Sequence, residues 1–94
     1  MTHASKSRIV SASWTVLRRW VAMAREYLTS TSVEWIEYDA ATRTLEIAYA
    51  SGGVYRYFDV PPAVCDQLRA AESKGRFVNA VVKPRYRYVC VTPP

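Results

Sequence analysis

The hydrophobic positions of this chain change period at about residue 33. Before it, Trp14, Leu17, Val21, Ala24 and Leu28 fall together at 100° per residue, with Val16, Trp20, Met23 and Tyr27 beside them. Arg18, Arg19, Arg25 and Glu26 take the other side. The spacing predicts an amphipathic helix over 13–29, capped by Ser13 and broken by Thr29-Ser30-Thr31-Ser32. Residues 1–12 read as a flexible tail. The apolar face spans about half a turn, more than a lone helix on a small sheet needs. It either packs on its own domain or meets a second copy, a partner protein or a membrane surface.

From Val33 onward the pattern alternates, as in half-buried strands. Glu34–Tyr38 reads as a first strand and Asp39–Arg43 as its turn, with Asp39 bonding its own backbone. Leu45, Ile47 and Tyr49 alternate with Thr44, Glu46 and Ala48 in a second strand whose first set faces the core. Ala50-Ser51-Gly52-Gly53 turns into a third strand from Val54. Tyr55 and Tyr57 share one of its faces, and Val54, Arg56 and Phe58 the other. Pro61-Pro62 ends that strand and opens a helix through Val64, Leu68 and Ala71 that stops at Gly75. Phe77, Val78, Val81 and Val82 predict a second short helix closed by Pro84. Tyr86–Val91 has strand composition again and offers an edge strand. The fold class is α+β: a three-stranded antiparallel meander with this fourth edge strand, packed on two C-terminal helices and preceded by the N-terminal helix.

Ninety-four residues make one domain, and half of them are hydrophobic, so the chain buries a core of its own. The net charge of +5 is unevenly spread. Residues 1–31 carry five basic residues against one acid, residues 32–72 three against seven, and residues 73–94 five against none. A basic end of this kind attracts phosphate, an anionic membrane or an acidic protein surface, or simply keeps a small protein soluble. No leader with a cleavage site is evident, and the apolar stretch near 14–28 is charged and short of the roughly 20 residues a bilayer span needs. A soluble cytoplasmic protein is expected.

Catalytic chemistry finds little footing. Glu34, Glu37, Asp39, Glu46 and Asp59 are strand-surface or turn positions that no spacing pairs as acid and base. Cys65 and Cys90 match no metal spacing, and both are expected as buried, reduced thiols. His3 is the one histidine and lies in the tail. No metal or cofactor is expected. Binding chemistry has more material. Tyr55 and Tyr57 either stack unpaired bases or bury against a helix. Ser73-Lys74-Gly75-Arg76 places a glycine between two cations, as a phosphate-contacting loop or as a helix C-cap. Asn79, in an otherwise apolar helix, bonds backbone or reaches a ligand. Lys83, Arg85 and Arg87 interleave with Tyr86 and Tyr88, which suits tracking of a single-stranded backbone or protection of a sheet edge.

Read together, Ile36-x-Tyr38-Asp39, Gly52-Gly53-Val54-Tyr55-Arg56-Tyr57, Val60-Pro61 and Ser73-x-Gly75-x-Phe77-x-Asn79 resemble the KTSC domain family. Its members occur at the C-terminus of some lysyl-tRNA synthetases and as stand-alone bacterial or phage proteins. The resemblance covers about residues 31–89, marks 31–91 as the domain and leaves residues 1–30 outside it. It implies no assigned activity, and RNA as the suggested partner. The leading expectation is therefore a non-catalytic RNA-binding module using Tyr55, Arg56, Tyr57, Lys74, Arg76, Lys83, Arg85 and Arg87. The rival is a protein-interaction or self-associating module acting through Trp14, Leu17, Trp20, Val21, Ala24 and Leu28.

Overall fold

The computed structural model describes residues 25–94. The tail over 1–12, most of the expected helix and the face formed by Trp14, Leu17, Trp20, Val21 and Ala24 lie outside the described residues. What is described is an α+β fold built on a five-stranded antiparallel sheet in the order β1-β2-β3-β4-β5. Its strands are β1 (Glu26–Tyr27), β2 (Val33–Asp39), β3 (Thr44–Tyr49), β4 (Val54–Tyr57) and β5 (Tyr88–Thr92).

The central meander follows the alternation. Asp39 Oδ1 accepts the Ala41 N–H at 3.0 Å, closing the β2–β3 turn on its own backbone. Gly52 takes φ 111°, a region that disfavours side chains, and its N–H donates to the Tyr49 carbonyl at 2.8 Å. Register then sets Leu45 opposite Tyr57 and Ile47 opposite Tyr55 on the face that the helices cover. Val33, Ile36, Leu45, Ile47 and Tyr57 meet Val60, Cys65, Leu68, Val78 and Val82 there, all 2 % exposed or less.

The chain before β2 departs from the helical pattern. Glu26 and Tyr27 pair with Ile36 and Trp35, and the Leu28 N–H donates to the Glu34 carbonyl at 3.1 Å. Leu28 packs against the core rather than on an outward helical face. Ladder bonds, together with Arg69 Nε donating to Glu26 Oε1 at 2.8 Å, override the local helical spacing.

Two helical elements link β4 to β5. Helix α1 (Pro62–Ala70) places Pro62 in its first turn, where no donor is lost, and buries Cys65 and Leu68. It ends earlier than Gly75: Lys74 Nζ donates to the Arg69 and Ala71 carbonyls at 2.8 and 2.6 Å and satisfies its C-terminus. Ser73 then caps α2 (Lys74–Phe77), accepting the Arg76 N–H at 3.3 Å. Gly75 serves a close approach, since a Cβ there would lie 2.6 Å from Ser32 Oγ. The segment Val78–Val82 continues as a π turn, closed by the Lys83 N–H on the Val78 carbonyl at 2.9 Å. Val78 and Val82 both point into the core, while Asn79 is exposed.

The edge strand starts at Tyr88, later than expected, because the chain is still wound after the π turn. Both Arg85 and Tyr86 donate their N–H groups to the Val82 carbonyl, at 3.3 and 3.2 Å. Arg85 and Arg87 thus precede β5 instead of sharing one of its faces. Cys90, expected inside, is exposed on this edge strand, whereas Cys65 is buried and reduced, with burial raising its thiol to about 11. No helix among the described residues is long and apolar enough to cross a membrane.

Candidate functional site: a tyrosine-lined cleft

Past the reach of the helices, the covered face of the sheet opens into a cleft of about 600 Å³. Its sheet wall is aromatic because the register demands it. Tyr49 ends β3, Tyr55 and Tyr57 alternate along β4, and Tyr88 pairs with Tyr57 from β5. Ring centroids lie 5.7 Å apart for Tyr49 and Tyr55, 5.8 Å for Tyr55 and Tyr88, and 5.7 Å for Tyr57 and Tyr88. These separations fit edge-to-face and tilted aromatic packing. Tyr57 is the floor, almost fully buried, and Tyr88 is the rim, 56 % exposed. Ser32, Ser51, Gly53 and Pro94 close the remaining sides.

Polar chemistry enters at two points. The Tyr49 and Tyr57 hydroxyls lie 2.7 Å apart and share one hydrogen bond, so one phenolic proton remains for another acceptor. Burial, followed by this bond, pushes the Tyr49 phenol well above its ordinary range, and burial likewise raises Tyr57. Both are neutral donors at physiological pH. Lys83, projected from the end of the π turn, sets its ammonium 5.1 Å from the centre of the Tyr49 ring. Among the described residues no carboxylate pairs with it.

Of the residues nominated from sequence, Tyr55, Tyr57 and Lys83 come together here. Tyr57 is too buried to be an open stacking platform and contributes its hydroxyl instead. Arg56 lies on the opposite face, where its Nε donates to Glu46 Oε2 at 2.8 Å. Lys74 is committed to the end of α1, and the Ser73–Arg76 turn supplies the N-cap of α2 instead of the expected C-cap. Arg76 and Arg85 are exposed away from the cleft lining, and Arg87 lies 3.5 Å from Asp59 with its guanidinium over Phe58. Tyr88 stood out in sequence only as part of the run interleaved with Lys83, Arg85 and Arg87, and Tyr49 only as a core-facing position. Tyr49 shares the face of Tyr55 once β3 and β4 are set in register, which was the signal available for it.

Comparison with known proteins places the fold in a family. The KTSC domain model matches residues 29–86. The chain belongs to the KTSC domain family. A KTSC domain protein of Yersinia pestis, solved by crystallography, superposes with a TM-score of 0.71 at 34% identity, covering 74% of this chain and 99% of that one. A protein of Tsukamurella paurometabola is 48% identical over 62 residues, 66% of this chain and 92% of its own. A lysine–tRNA ligase of Nostoc punctiforme is 39% identical over 56 residues, which are 60% of this chain but 10% of the ligase. In this KTSC domain the central Tyr55-x-Tyr57 pair supplies one wall and the floor of the cleft. Among the described residues no cluster of three or more His, Cys, Asp or Glu side chains is placed to hold a metal ion.

Proposed function

We propose that this KTSC domain is a non-catalytic module that binds single-stranded RNA, through the tyrosine cleft rather than through the basic C-terminal segment as a whole. The observation that carries the reading is the Lys83 ammonium set beside the Tyr49 ring in a cleft that four tyrosines line. Exposed rings offer stacking worth roughly 1–3 kcal/mol per base, and a cation beside them answers the phosphate. Lysine–tRNA ligases carry a matching segment, and tRNA is the RNA that their name specifies. The role is a cytoplasmic one. Fluorescence anisotropy with a labelled single-stranded RNA and a tRNA, at low and near-physiological salt, tests it. Saturable binding that persists at physiological salt and weakens at least tenfold in Tyr88→Ala and Lys83→Ala is expected. Binding that ignores both substitutions, or that vanishes at moderate salt, contradicts it.

A further inference from the structure

This inference rests on the RNA reading and narrows what the cleft recognises. We infer that the cleft holds one unpaired nucleotide together with its own phosphate, and does not track a length of strand.

Size and charge point the same way. A cleft of about 600 Å³ lies within the range of sites that take a single small ligand, roughly 300–1,000 Å³. A backbone-tracking groove needs a row of cations, and among the described residues one cation, Lys83, lines this cleft. Of the other cations nominated from sequence, Arg56 is held by Glu46 on the opposite face, Lys74 by the end of α1 and Arg87 by Asp59 and Phe58, while Arg76 and Arg85 stand outside the lining. Exposed Tyr88 offers the stacking surface. The proton left over by the Tyr49–Tyr57 pair offers a donor to a carbonyl or ribose oxygen. One ring face, one donor and one cation match the base, the sugar or carbonyl oxygen, and the phosphate of a single nucleotide.

The test uses the full chain, labelled decauridine, and uridine 5′-monophosphate or uridine as competitors, with direct calorimetry of the monophosphate. One phosphate contact predicts that log K falls with log salt at a slope of about −0.7. The monophosphate should displace decauridine completely. Uridine should bind at least tenfold more weakly, and Lys83→Ala should abolish that difference. A slope near −2, as three cations would give, overturns the inference while leaving RNA binding in place, particularly if Arg85→Ala/Arg87→Ala flattens it. So does decauridine binding that the monophosphate cannot displace. Monophosphate binding without decauridine binding would instead remove the RNA reading and keep a nucleotide site. Binding of neither removes both. Lys83 and Arg85 are exposed, so circular dichroism is expected to show the variants folded as the parent.

Discussion

The two faces of the sheet use their polar groups in different ways. On the face away from the helices, cations meet carboxylates: Arg56 with Glu46, Arg25 with Glu37 at 3.7 Å, and Arg87 with Asp59 at 3.5 Å. Trp35, buried on that side, has the Arg25 guanidinium 4.2 Å over its ring. The charges there are self-neutralised. On the helix-covered face Arg69 pairs with Glu26, but the polar groups that converge on the cleft are phenols and one ammonium. Pairing makes a charge a surface feature, whereas leaving Lys83 over aromatic rings makes it available to a ligand.

The largest effect should come from the covered face. Leu68, fully buried, anchors α1 on the sheet, so Leu68→Ala is expected to cost about 2–5 kcal/mol in urea unfolding. A loss below 1 kcal/mol would mean that the helix contributes little to the core. Tyr88→Ala separates the cleft from that core. It should weaken RNA binding by at least tenfold while shifting stability by no more than ~0.5 kcal/mol, since the ring is mostly exposed. A matching loss of stability and affinity would assign Tyr88 to folding. On the opposite face, a double-mutant cycle on Glu46→Ala and Arg56→Ala should give a coupling of about 0.5 kcal/mol and leave affinity unchanged. A change in affinity would mean that the ion-paired face also binds.

The smallest effect concerns Glu37. Burial, then the neighbouring Glu46 charge, raise its carboxyl above the ordinary 4.5. The folded protein therefore holds this proton more tightly than the unfolded chain. Its contribution makes stability fall as pH rises from about 4.5 through the folded value. Glu37→Gln should gain ~0.5 kcal/mol at neutral pH and nothing once the pH drops below that range. A gain that is independent of pH would point to a cause other than ionisation.

The meander was legible because alternation and turn chemistry agree at each step: Asp39 in its turn, Gly52 at positive φ, and Leu45 and Ile47 facing inward. What sequence hid was non-local. Glu26 and Tyr27 fit a helical pattern until the ladder to β2 claims them, and nothing local announces Arg69 as the partner of Glu26. Lys74 stood out as a free cation because the pattern ran the helix on to Gly75, whereas α1 ends at Ala70 and the Arg69 and Ala71 carbonyls take the ammonium. The cleft was half visible. Tyr55, Tyr57 and Lys83 stood out, while Tyr49 and Tyr88 join them only through the β3–β4 and β4–β5 registers.

The central claim is that ligand recognition belongs to the helix-covered face. The most direct measurement is a ¹H–¹⁵N correlation spectrum of the full chain titrated with single-stranded RNA. Shifts concentrated at Tyr49, Ser51, Gly53, Tyr55, Lys83 and Tyr88, with Glu46 and Arg56 little changed, are the predicted result. Shifts centred on Glu37, Glu46, Arg56 and Arg87 would contradict it and move the site to the other side of the sheet.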